Sequence, residues 1–146
     1  MNSDPAVRAW VERWADSVRP ERASRPAARE RLTLGRQHVK RAQKLIDDGD
    51  PDGAAIFAEF ALVNAADVVL LNDGFRIRGQ TGSHQARFSY PLLPSAFTEG
   101  QNTINEARML RNRAAYEASG RVSRAQATTL TELANRALAE VARLLL

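Results

Sequence analysis

The 146-residue chain has no cysteine, two histidines (His38 and His84) and two lysines (Lys40 and Lys44). Each shortage removes a class of chemistry. Without cysteine there is no disulfide framework and no thiolate zinc site. With two histidines, no all-histidine metal centre forms within one chain. GxGxxG, the Walker lysine loop, the GxSxG nucleophile turn and HExxH are all missing, so the commonest nucleotide-binding and hydrolase signatures are out. No segment alternates as a strand does, and there is no internal repeat or low-complexity tract. The N-terminus, MNSDPAVRAW, lacks the apolar core of a signal peptide. The most apolar run, Ala54 to Leu71, carries Glu59, Asn64 and Asp67, which argues against a membrane span and for a cytoplasmic protein.

What the chain does have is arginine. Nineteen of its 21 basic residues are Arg, against 17 acidic ones, for a net charge of +4. Arg pairs bidentately with phosphate, so an anionic partner is one reading. The other is compositional, because 25 Ala and 19 Arg also follow from GC-rich coding. Residues 19–44 hold nine basic and two acidic side chains, mostly off the apolar stripe, as on a solvated face. With 44% apolar and 26% charged residues the composition is that of a globular chain.

Helix punctuation is clear. Asp4-Pro5 starts a first helix with Val7, Trp10, Val11, Trp14 and Val18 at helical spacing, ending near Arg19-Pro20. A polar linker follows to Pro26. A second helix is predicted from about Ala27 to Asp48, with Gly49 as its stop. Asp50 and Pro51 cap a third, to about Asn72, which is apolar on nearly all sides and therefore central. Between Phe75 and Gly100 the pattern breaks into loops and a short helix near Ser83 to Phe88. A fourth helix covers about Glu99 to Glu117. A fifth opens on the Ser123/Gln126 capping box and runs through Leu130, Leu133, Ala134, Ala137, Leu138, Val141, Leu144 and Leu145. The expected fold is an all-α antiparallel helical bundle, residues 27–146, with residues 1–26 as an appended N-terminal helix and linker.

Arg111 stands apart from the other arginines. The apolar face of the fourth helix is set by Ile104, Ala107, Leu110, Ala114 and Ala115, and Arg111 falls near its middle. Arg113 points nearly opposite, and Arg108 sits at the edge. A charge on an apolar stripe must be paired or must meet a partner. Three readings follow: an ion pair with a buried carboxylate such as Glu59 or Asp67, a subunit interface, or an anionic ligand. Glu59 and Asp67 together would also allow a metal, but without a nearby His, interhelical polar contacts are the stronger reading. Trp10 and Trp14, one turn apart, read as docking onto the bundle or as a partner surface. His38 flanks the second helix's stripe and reads as structural.

Three features carry a family resemblance. They are the Ala-rich helix pair LIDDGDPDGAAIFAEFALVNAADVVLL, the Gly-rich segment ending in Gly82-Ser83-His84, and Arg111-Asn112 followed after three residues by Tyr116. From about Ala27 to Leu146 the chain resembles a HEPN domain (higher eukaryotes and prokaryotes nucleotide-binding). The resemblance implies a helical bundle that forms a homodimer through its motif-bearing helices. Many such proteins are metal-independent endoribonucleases, often toxins paired with a nucleotidyltransferase antitoxin, and others are non-catalytic modules that bind nucleotides or partners. It implies Arg111, Asn112 and Tyr116 as the catalytic positions, with Arg108, Arg113 and His84 as nucleic-acid contacts and no metal or cofactor. The motif's His is replaced by Tyr116. Tyr, with an ordinary pKa of about 10, is a poor base at pH 7 but can donate a hydrogen bond or stack on a base. In an unbroken helix Arg111 and Tyr116 point about 140° apart, so they converge only if the helix ends between them or across a dimer.

Overall fold

Short polar side chains followed by proline set the starts of the long helices. In the computed structural model, which describes residues 4–79, 82–116 and 122–146, the Asp4 carboxylate accepts from the Ala6 and Val7 amides and opens α1, Pro5–Arg13. Ser24 accepts from Ala27 N and opens α2, Arg25–Asp47, two residues ahead of the sequence expectation because Pro26 fits the helix's first turn. Asp50 accepts from Gly53 N and opens α3, Pro51–Asp73. Gly49 (φ 83°) and Gly74 (φ 95°) take the left-handed conformation that lets the chain leave α2 and α3. Both halves of the Ser123/Gln126 capping box form ahead of α7, Arg124–Arg143.

Between α3 and α7 lie α4 (Ser83–Phe88), α5 (Ser95–Glu99) and α6 (Gln101–Tyr116). The architecture is an all-α helical bundle. The two 23-residue helices α2 and α3 form an antiparallel hairpin, while α6 and α7 cover other sides of α3. Fully buried Ala54, Ala55, Ala58, Ala61, Ala65 and Ala66 keep the α3 surface low, so its neighbours approach closely. By length and composition α3 would be apolar enough to cross a membrane, yet 72% of its apolar window is buried inside the bundle, as befits a core helix.

Several details depart from expectation. The first helix stops at Arg13, well short of Arg19-Pro20, and Val18 lies in a short strand, β1 (Val18–Pro20). It pairs antiparallel with β2 (Phe75–Ile77), with Val18 opposite Ile77 and Pro20 opposite Phe75. No strand was expected, because three residues are too few for a period-two signal and the partner is far along the chain. Proline is tolerated here because the sheet has only two strands, both edges. A break at Gly100 separates α5 from α6 where one helix starting near Glu99 was expected. Leu144, placed on the last helix's stripe, caps α7 and is exposed. Glu117, the expected end of the fourth helix, lies outside the described residues.

The N-terminal segment is tied into the same core. The Trp10 indole donates to Ala86 O at 2.8 Å and meets Phe75 and Tyr90 edge-on, at ring separations of 5.3 and 4.7 Å. Val7, Trp10 and Val18 are buried.

Candidate functional site

The polar feature of the interior lies where α4 and α6 meet α3. Apolar all round, α3 nevertheless carries Glu59 and Asp67 eight residues apart, on adjacent faces. Each carboxylate meets a different arginine. Arg87 of α4 donates through Nε to Asp67 Oδ1 at 2.9 Å, and both side chains are largely buried. Arg111 of α6 brings Nε to 3.3 Å from Glu59 Oε2. That is an ion pair by distance, but it lacks the alignment of a hydrogen bond, so the buried Nε–H of Arg111 has no acceptor. Of the three readings of Arg111, the pair with a buried carboxylate is formed, and Glu59 rather than Asp67 is the partner.

Glu59 is only 5% exposed. Burial pushes its carboxyl above the ordinary value, while Arg111, Arg87 and Arg108 pull it back down. His84, on the first turn of α4, lies in the field of the same arginines. Burial first, then Arg108, Arg87 and Arg111, lower its imidazole to about 4, so it is neutral at physiological pH. Its ring sits 4.8 Å from that of Phe88, and its Nε2 is buried without a hydrogen-bond partner. Three guanidinium groups thus act on one small region that holds two carboxylates and a neutral imidazole, leaving an excess of positive charge.

The remaining residues singled out from the sequence divide by exposure. Arg108, Asn112 and Arg113 are exposed on α6, and Arg111 is half-buried behind them. Tyr116 is 80% exposed, so it does not pack against α7. The helix runs unbroken from Arg111 through Tyr116, so the two do not converge within one protomer. Ala115, expected on the apolar face, is exposed beside Tyr116. His38 sits 5.6 Å from both Phe57 and Phe60, with burial lowering its pKa, as suits a packing residue. Among the described residues no three His, Asp or Glu side chains gather as metal ligands.

Sequence reasoning missed Arg87, which neutralises Asp67 and adds to the field at Glu59 and His84. A six-residue helix is too short to show which face is apolar, so nothing in the sequence aimed Arg87 inward.

No family model matches the chain, and no curated protein matches it. Among solved structures, the crystal structure of TT1696 from Thermus thermophilus is similar, with a TM-score of 0.63 and 22% identity. The match covers 80% of this chain and 96% of that one. At this identity the similarity speaks for the fold.

Proposed function

We propose that this protein is a dimeric HEPN-like bundle that engages RNA or a nucleotide through its phosphate, with Arg108 and Arg111 as the anion-holding residues. The carrying observation is that Arg87, Arg108 and Arg111 all act on Glu59 and His84, while Arg87 pairs with Asp67 and Arg111 with Glu59. Arg108 and Arg113 are exposed, and the Arg111 side chain is partly so, with its buried Nε turned to Glu59. An exposed guanidinium such as Arg108, backed by further positive charge, is suited to phosphate oxygens.

Binding is favoured over cleavage within a single protomer. Tyr116 points away from Arg111, and His84 is neutral with a pKa of about 4, far from the value that serves a general base at pH 7. A metal-independent ribonuclease would need a second copy to bring its Tyr116 against Arg111. The Arg111–Glu59 ion pair favours a second reading, a non-catalytic interaction module that works with a toxin-system partner such as a nucleotidyltransferase. Both readings place the protein in the cytoplasm.

The test is binding of a labelled single-stranded oligoribonucleotide across a salt series. Wild type should bind with strong salt dependence. Arg108→Ala should weaken binding and flatten the log–log salt slope by about 0.7, the share of one phosphate contact. Binding that ignores both salt and Arg108 would overturn the reading. Incubation of the same RNA in EDTA, with sedimentation to fix the oligomeric state, separates a dimeric nuclease from a binding module.

A further inference from the structure

A groove of about 550 Å3 lies between α1, α4 and the start of α6. Its walls include Trp10, Arg13 and Trp14 from α1 and its C-cap, His84 from α4, and Gln101 and Asn105 from α6. Among the described residues that line it there is no carboxylate. By contrast, a groove of about 600 Å3 on another side of α1 carries both signs, with Glu12, Glu21 and Asp73 beside Arg8 and Arg22.

The lining chemistry is specific. The Arg13 guanidinium lies 5.3 Å from the centroid of the half-buried Trp14 ring, a cation–aromatic platform. Trp10 is locked by its bond to Ala86 O, so this wall is preorganised. His84 adds a neutral imidazole ring to the wall, with its Nε2 buried behind the surface. Gln101 and Asn105 supply carboxamides that carry donors and acceptors side by side. Asn105 is also one turn from Arg108, on the same exposed face of α6 that continues to Asn112. The groove therefore opens next to the arginines that would hold a phosphate.

We propose that this groove receives an unpaired nucleobase of the RNA or nucleotide whose phosphate Arg108 engages. The inference rests on the phosphate reading above. The base lies against the Trp14–Arg13 platform, and Asn105 and Gln101 hydrogen-bond its polar edge. Aromatic stacking beside a basic track is the usual chemistry of single-strand recognition. It also gives the N-terminal helix a role, since α1 builds one wall.

Both tryptophans of the chain line the groove, so intrinsic fluorescence reports on it directly. The experiment compares a single-stranded oligoribonucleotide with an abasic phosphodiester of equal length, by anisotropy and tryptophan quenching on the full chain. The base-bearing strand should quench and should bind about fivefold or more tightly than the abasic one, the lower range for one stacked base. Trp14→Ala should remove that difference. Asn105→Ala, on the exposed face of α6, serves if the Trp14 variant loses helicity, and should lower only the base-bearing affinity. Arg108→Ala should weaken both strands alike. Equal affinities that both fall with Arg108→Ala would overturn the groove while the phosphate reading stands. If neither strand binds, the phosphate reading falls. Millimolar free nucleosides then decide the groove alone: quenching that Asn105→Ala diminishes supports it, and unchanged fluorescence overturns it.

Discussion

Two arginine–carboxylate networks flank α6, and they are built on opposite principles. At its N-terminal end Arg136 of α7 bonds Glu99, Glu140 and Ser95, and Glu140 also accepts from the Ala96 amide at 2.8 Å. Every member found its partners, and the arginine stays in solvent. Toward the C-terminal end half-buried Arg111 faces buried Glu59, close enough to attract but with its Nε not aligned to bond. The outer network is satisfied but solvent-exposed, so it adds little to stability. The inner one is incompletely satisfied, is bound up with burial, and has charge to spare. An anion site is expected beside the second, where exposed Arg108 adds its charge to that of half-buried Arg111.

The largest effect should come from breaking the inner pair. Arg111→Met keeps the apolar stem and removes the charge, leaving Glu59 buried without its nearest cation. Removing one partner of a buried pair costs about 3 kcal/mol in urea unfolding. The loss should also grow with pH. Glu59 already has a folded-state pKa above its ordinary 4.5, and losing Arg111 raises it further. The folded chain then holds its proton more readily than the unfolded one, so the Glu59 contribution to stability is complete below about pH 4.5 and drains away as pH rises through the folded-state value. A variant as stable as wild type at pH 8 would erase the distinction between the two networks.

An intermediate case sharpens the comparison. The buried Tyr90 hydroxyl donates to Asp73 Oδ2 at 2.6 Å. Tyr90→Phe should cost about 1.5 kcal/mol, as for one hydrogen bond to a charged acceptor, measured by the same urea titration. A loss equal to that of Arg111→Met would mean that alignment matters as much as burial.

His84 gives an effect visible only in acid. Its folded-state pKa of about 4 lies below the ordinary 6.5, so its stability contribution is complete above about pH 6.5 and is lost as pH falls through about 4. His84→Phe, which keeps a ring against Phe88, should therefore lose less stability between pH 7 and pH 4 than wild type does. Parallel acid profiles for the two proteins would refute the buried, neutral imidazole. The smallest effect belongs to the outer network, where Arg136→Ala should leave the thermal midpoint within the scatter of ordinary surface substitutions. A clear drop would show that the exposed network, too, supports the fold.

Much of the helical frame was legible because its signals are local. Asp4-Pro5, Asp50-Pro51, Gly49 and Ser123/Gln126 each act within one turn, and each caps or ends the helix assigned to it. The all-round apolarity of α3 likewise announced a central helix. The region between α3 and α6 was harder. There α4 and α5 are single short turns, and β1 and β2 exist only because distant segments meet. Arg111 could be singled out from its apolar neighbours, whereas Arg87 could not, since no periodicity exists within six residues.

By itself, then, the amino-acid order determined the caps that open α1, α3 and α7, the stop after α2, which helix lies at the centre, and that Arg111 must be paired or meet a partner. Those properties follow from contacts within a turn or from the spacing of side chains on one helix face. Only the tertiary structure decided that Glu59 rather than Asp67 answers Arg111, that Arg87 takes Asp67, and that His84 is held neutral among three arginines. Likewise, only packing brought Trp10 and Trp14 alongside His84 and Asn105. Partners and pKa values depend on burial and on distances between helices far apart in sequence, and neither is encoded in local spacing.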